Sequence, residues 1–355
     1  MTEKKYSNGH GYEAYLRFIR KYDEAVELFK QLSKDYQQRK KNDGVFVDGT
    51  GFARYSPYLQ SRVLQMQNFG IEDLANMSQQ EADYISYVHG VPLFAAWRNS
   101  LDIYRIDADV FDELIKSPIP EETPCEIFKR LPSFCVYVEF PRDVQYSEFL
   151  EKSVVGDLVC KGFWAYLGYE VGNPNKALQL NICVDTESNM YRSNFDTLSL
   201  VIHEGLTVKE ASELVFKQYI GFPNEDAQLL TAKNDQKALF SFLPILLWLC
   251  VEDPDITNMK DERIEREQLF KPKYTIHKKT GAFVPPSQPT VFNLGKRLGA
   301  EIRSYQEIIK KDLIDRPRAA VRPHIRRGHL HGYWVGKRGS AKFILKWVAA
   351  TIVGV

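Results

Sequence analysis

Arg322-Pro-His-Ile-Arg-Arg-Gly-His-Leu-His-Gly-Tyr-Trp334 gathers three arginines, three of the chain's seven histidines and an aromatic pair in one stretch. Each guanidinium offers a planar donor fork that matches phosphate and stacks on bases. Tyr333 and Trp334 add faces worth about 1–3 kcal/mol per stacked base. Arg322, His324, Arg326, Arg327, His329, His331, Tyr333 and Trp334, with Lys337 and Arg338 just beyond, are therefore candidate RNA contacts. The same types also permit chemistry. Metal-independent RNA cleavage needs a base for the 2′-hydroxyl, an acid for the leaving oxygen and a cation for the phosphorane; His324, His329, His331 and Arg327 could fill those roles. On a strand, His329 and His331 face the same side. Three histidines can also hold zinc, but the neighbouring arginines oppose a cation and no carboxylate in the motif orients the imidazoles. No metal and no cofactor is assigned. Histidines that only hydrogen-bond across a small sheet are the plain alternative, and binding is favoured over catalysis.

Charge tells the same story at longer range. The whole chain carries a formal charge of +1, yet Lys271 to Trp347 holds 18 Lys+Arg against 4 Asp+Glu, leaving 29 basic and 42 acidic residues elsewhere. A basic module on an acidic body attracts phosphate or an acidic partner; the alternative is that the two parts neutralise each other by docking. Cys125, Cys135, Cys160, Cys183 and Cys250 are scattered, with no CxxC pair, which excludes a zinc ribbon or a disulfide framework and marks small core residues. Met1 to Asn8 lacks the apolar segment of a signal peptide. Leu239 to Val251, the most apolar run, is too short to span a bilayer and contains Pro244. A cytoplasmic protein with no membrane partner is expected.

The elements that must position these residues follow from periodicity. Tyr15, Phe18, Tyr22, Val26, Phe29, Leu32 and Tyr36 recur at helical spacing and predict an amphipathic helix over residues 12–41. Asp48-Gly49-Thr50-Gly51 reads as a turn, and helical pattern resumes over Pro57 to Asn68. Ser78-x-x-Glu81 predicts a capped helix running to a break at Gly90-Val91-Pro92, followed by a buried helix over Leu93 to Ile103. Trp97 with Arg98 is a candidate peptide-binding pair, or else a core aromatic beside a salt-bridged arginine. Strands are predicted at Phe134–Phe140, Lys161–Leu167, Leu178–Val184 and Thr197–Val201. Thr207-x-x-Glu210 opens another helix, and Lys237 to Val251 forms the apolar central one. Glu252-Asp-Pro-Asp255 reads as the polar turn ending it, with a metal site as the alternative. Lys271 to Pro289 reads as an extended linker. Phe292 to Leu313 reads as a basic amphipathic helix. His329–Val335 and Lys342–Val348 predict a hairpin about Lys337-Arg-Gly-Ser340, to one strand of which Ala349–Val353 pairs.

The fold class is α+β: N-terminal helices, a mainly antiparallel sheet with flanking helices, and a basic C-terminal helix plus β-hairpin module. The corresponding regions are residues 1–85, 86–265 and 266–355.

Several segments carry a resemblance. Ala96-Trp-Arg-Asn-Ser-Leu-Asp-Ile-Tyr104, Phe134-Cys-Val-Tyr-Val138, Lys161-Gly-Phe-Trp-Ala165 and Leu246-Leu-Trp-Leu-Cys-Val-Glu-Asp-Pro-Asp-Ile256 resemble the second-described family of anti-CRISPR proteins against type V-A systems. So do His277-Lys-Lys-Thr-Gly-Ala-Phe-Val284, Gly295-Lys-Arg-Leu-Gly-Ala-Glu-Ile-Arg303 and the Arg322–Trp334 stretch, an ordered match over residues 85–355. The resemblance implies an inhibitor encoded by a mobile genetic element. Members recognise the N-terminal polypeptide of the type V-A effector, a single-protein RNA-guided DNA nuclease, during translation. The effector's mRNA is then degraded. It implies as partners that N-terminal peptide, mRNA or the ribosome, and a host RNA-decay factor. Residues 86–265 would hold the peptide, with Trp97, Arg98 and Trp164 as candidate contacts, and residues 266–355 would contact RNA. Leu330 stands where relatives carry tryptophan, so a stacking role does not carry over there. A binding adaptor is favoured over an enzyme; a metal-independent His/Arg ribonuclease and a stoichiometric inhibitor of the mature nuclease are the alternatives.

Overall fold

The computed structural model describes residues 9–31, 79–133, 135–151, 158–169, 178–187, 195–217, 225–280, 283–315, 324–337, 340–348 and 351–353. Its centre is a seven-stranded sheet. In chain order the strands are β1 (Asp102–Ile106), β2 (Cys135–Gln145), β3 (Val159–Tyr169), β4 (Leu178–Glu187), β5 (Phe195–Ile202), β6 (Ile256–Asn258) and, after the small β7 (Thr275–Ile276) and β8 (Phe283–Val284) hairpin, β9 (Thr290–Leu294). The spatial order is β5-β4-β3-β2-β1-β9-β6. β2 to β5 form an antiparallel meander, as their close spacing predicts. β1 instead runs parallel to both β2 and β9. Parallel neighbours need a crossover; α3 (Ala108–Leu114) lies in the one between β1 and β2.

Strict alternation along these strands buries both faces. Tyr104, Val136, Val138, Phe163, Ala165 and Ile182 point into one core, which the long helix α5 (Glu225–Cys250) and α3 cover. Ile103, Cys135, Tyr137, Trp164, Tyr166 and Cys183 point into the other, covered by α1 (His10–Lys21) and α2 (Gln79–Trp97). Burying a side chain the size of Phe94 or Phe242 is worth about 1.5–3 kcal/mol, and both are fully buried. All five cysteines are free and buried, small core residues as their neighbours predict. Among the described residues no helix is long and apolar enough to cross a membrane.

Several elements differ from the sequence reading, each for a tertiary reason. The first amphipathic helix stops at Lys21 and restarts at residue 24; residues 32–41, like the turn near Asp48 and the pattern over Pro57 to Asn68, lie outside the described residues. α2 runs straight through Gly90-Val91-Pro92. Gly90 is where Phe18 of α1 crosses: a Cβ there would sit 2.2 Å from the Phe18 ring. That packing holds the turn that the missing Pro92 N–H weakens. Ile103, read as helical, is in β1, and Phe292, read as a helix start, is in β9. The helix proper is α7 (Lys296–Asp315), after the short α4 (Val208–Lys217) and α6 (Arg266–Leu269) met earlier in the chain.

Because β9 sits between β1 and β6, the basic region is not a separate module. A boundary near residue 266 would cut through the sheet, and the strand just beyond the expected linker, β9, lies inside it. α1 likewise belongs to the body, since Tyr15 and Phe18 pack in its second core. The Glu139 carboxylate reaches from β2 to accept the His10 backbone N–H at 2.8 Å and the Arg105 Nε–H at 2.7 Å. It serves as the cap that Gly9, without a side chain, cannot supply.

Candidate nucleic-acid interface

The C-terminal hairpin forms as its alternation predicts. β11 (His329–Val335) pairs antiparallel with β12 (Lys342–Val348), placing His331 opposite Lys346, Tyr333 opposite Ile344 and Trp334 opposite Phe343. One face is inward. Leu330, Phe343 and Leu345 are buried against the main core, and Trp347 meets Trp248 of α5 with ring centroids 4.8 Å apart. Gly332 makes room for the Phe343 ring; a Cβ there would stand 2.4 Å from its Cζ. The Glu252 N–H donates to the Leu345 carbonyl at 3.3 Å, and Lys342 pairs with the Glu252 carboxylate at 3.6 Å. The hairpin is thus docked on the C-terminal end of α5.

The other face is open. His329 and His331 lie side by side with ring centroids 6.2 Å apart, and the His331 ring meets the edge of Tyr333 at 4.5 Å. His331, Tyr333 and Lys346 are exposed. This row of two imidazoles, a phenol and an ammonium suits a phosphate chain with stacked bases. The aromatic pair is not a single platform, however. Consecutive strand residues point oppositely, so Trp334 lies on the inward side, against Phe343 at 5.3 Å, while remaining 54% exposed at the hairpin's end. Leu330 is buried, so no stacking occurs at that position.

The three histidines do not share a sheet. His324 and Arg326 belong to β10 (His324–Arg326), whose partner is β13 (Thr351–Val353). The expected pairing of the last apolar run with the hairpin is thereby replaced by a separate two-stranded ladder. Arg327 and Lys337 are exposed at either end of β11, and Arg322 and Arg338 lie outside the described residues. Among the described residues no group of three His, Cys, Asp or Glu could hold a metal. Lys346 was missed in the sequence; only the register of the predicted hairpin could have placed it beside His331.

Much of the basic charge is spent on docking. Arg303 of α7 pairs with Asp107 and Asp109 at the N-terminus of α3, where Gly299 lets the helices touch. Lys296 pairs with Asp261. Asp255 accepts the Arg297 and Leu298 backbone N–H groups at 2.9 and 3.1 Å and binds the Arg297 side chain, capping α7. Asp253 pairs with Arg263, and Glu252 with Arg130. The acidic cluster is thus a set of caps and ion pairs. Lys310, Lys311, Lys337 and Lys346 remain exposed.

The residues offered as peptide contacts lie in the interior. Trp97 and Trp164 are fully buried, with ring centroids 6.2 Å apart, and both contact Tyr137. The Trp97 Nε1–H donates to the Asp102 carbonyl at 3.0 Å. Arg98 is buried too, its guanidinium 5.2 Å from the Phe29 ring centre and next to the Tyr15 hydroxyl; among the described residues it makes no salt bridge. These three hold α1 and α2 to the sheet, and a peptide reaches neither tryptophan without unpacking that layer.

Comparison with known proteins now adds to this geometry. The model of the AcrVA2-like family, anti-CRISPR type V subtype A2, matches residues 104–355. A solved structure described as "Crystal structure of AcrVA2" superposes with a TM-score of 0.66 at 29% identity, covering 98% of this chain and 99% of that one. No curated protein matches.

Proposed function

This chain belongs to the anti-CRISPR type V subtype A2 family, and on that premise we propose that it blocks accumulation of the type V-A effector nuclease. In this reading the acidic body recognises the effector's N-terminal polypeptide as it leaves the ribosome. The hairpin contacts mRNA or ribosomal RNA, and a host RNA-decay factor removes the message. The observation that carries the RNA arm is the open face of β11 and β12, where His329, His331, Tyr333 and Lys346 stand in one row. With Trp97, Arg98 and Trp164 in the core, peptide contact falls to the body's exposed acidic surface, which complements a basic segment.

The test of the RNA arm is filter binding of effector mRNA to the parent chain and to a His331→Ala/Tyr333→Ala/Lys346→Ala variant. Affinity should fall roughly tenfold or more, with a shallower salt dependence, and the melting temperature should not change. Unaltered affinity would remove the hairpin from the reading. Incubating purified protein with the mRNA, without ribosomes or host extract, separates adaptor from enzyme. Intact RNA supports the adaptor, whereas cleavage lost on His329→Ala or His331→Ala supports the ribonuclease. Loss of DNA cleavage on mixing the chain with mature nuclease would instead favour stoichiometric inhibition.

A further inference from the structure

A cleft of about 450 Å³ opens where the end of α2, the start of β1, residues 131–133 and residues 269–274 meet. That volume falls in the range of small-ligand sites. At its floor lies Asp102, fully buried, whose Oδ1 pairs with Lys273 while Oδ2 has no hydrogen-bond partner among the described residues. A carboxylate oxygen buried without a donor is costly, and in a cleft it marks the place where a ligand's N–H belongs. Asn99 also lines the cleft; its amide N–H₂ donates to the Ala95 and Ala96 carbonyls, which leaves its oxygen as a second acceptor. Phe270 and Tyr274 line the walls with Lys129 and Lys271; Lys129 pairs with Glu126 at 2.8 Å, so that Lys271 is the lining cation with no ion pair among the described residues.

We propose that this cleft binds a guanine nucleotide. The floor asks for N–H donors, the aromatic walls for a flat ring, and Lys271 for phosphate. Guanine presents N1–H and N2–H side by side and carries no charge. An arginine side chain offers a similar donor pair but brings a second cation to an Asp102 carboxylate that Lys273 already neutralises, beside the uncompensated Lys271. Adenine and cytosine each offer a single amino group on the pairing edge. The site is separate from the hairpin, so it stands or falls independently of the RNA-facing reading.

Isothermal titration of the full chain with GMP, AMP, guanosine and arginine amide tests it. GMP should bind saturably at one site, with AMP and arginine amide weaker by about 10- to 100-fold. Asp102→Asn replaces one acceptor by a donor and should abolish the preference for GMP over AMP. Because that change also strands Lys273, Lys271→Ala is the second variant. It alters an exposed side chain, should melt like the parent, and should weaken GMP while leaving guanosine unchanged. No saturable heat with millimolar GMP, equal binding of AMP, tighter binding of arginine amide, or GMP affinity untouched by Lys271→Ala would each overturn the proposal. Binding only of RNA carrying guanine, with free GMP silent, would overturn it as well.

Discussion

At the scale of single residues, Asp102 shows how completely surroundings can rewrite a side chain. Burial pushes its carboxyl up to about 6, although the Lys273 ammonium pulls the other way. Unfolded, it titrates near 3.9, so between about pH 4 and pH 6 the folded chain holds a proton that the unfolded chain has released. This group's contribution is therefore full below about pH 4 and is lost as pH rises through about 6, a change on the order of 1–3 kcal/mol. Urea denaturation across that window should show the fall, and Asp102→Asn should flatten it. Gly90 makes the opposite kind of point, since its value lies in what is absent. Gly90→Ala places a methyl inside the Phe18 ring and should destabilise the chain by about 1–3 kcal/mol; a urea midpoint equal to the parent's would show that α1 moves aside at no cost. Neither role is visible locally, because Lys273 lies 171 residues from Asp102 and Phe18 lies on a different helix.

At the scale of elements, local signals were read well wherever the element satisfies itself. Thr207 and Glu210 form the reciprocal cap the sequence announces: the Thr207 N–H donates to Glu210 Oε2 at 2.8 Å and the Glu210 N–H to Thr207 Oγ1 at 3.2 Å. The four strands of the meander and the C-terminal hairpin are equally legible, since alternation and short turns decide them. Elements completed by distant partners were not. α7 takes its cap from Asp255, 42 residues upstream, and Asp255→Ala should cost about 0.5–2 kcal/mol, measurable as a lower melting temperature. Arg266 closes α5, its guanidinium donating to the Leu249 and Val251 carbonyls at the helix end and to the Arg130 carbonyl of the neighbouring turn. Arg266→Ala should destabilise by about 1–3 kcal/mol, read out by denaturant unfolding. β9 falls between the expected linker, which ends at Pro289, and the expected helix, which starts at Phe292, because five residues between Pro289 and Gly295 are too few to set a strand by their own alternation. Its place between β1 and β6 supplies the hydrogen bonds that make it one.

At the scale of the whole molecule, the charge split and the architecture are one fact. Cations of the C-terminal region and carboxylates of the body are interlocked through Arg303, Arg297, Lys296, Lys273 and Lys342. A chain truncated after residue 265 loses β9, which leaves β6 without its ladder partner and opens the edge of β1 that does not face β2. It should fail to fold cooperatively, seen as loss of a sharp thermal transition; a truncated chain that melts like the parent would show that the body stands alone. Residue types and their periods by themselves determined the α+β class, the meander, the hairpin and the basic, histidine-bearing stretch that a family match over residues 104–355 joins to anti-CRISPR proteins. Only the tertiary structure decided that Trp97, Arg98 and Trp164 are core, that His324 belongs to a different ladder from His329 and His331, and which lysines face outward. Periodicity reports which face of an element is buried, because that is a property of neighbours along the chain. Which distant partner buries it or neutralises its charge depends on contacts between residues far apart in sequence, and no local pattern encodes those.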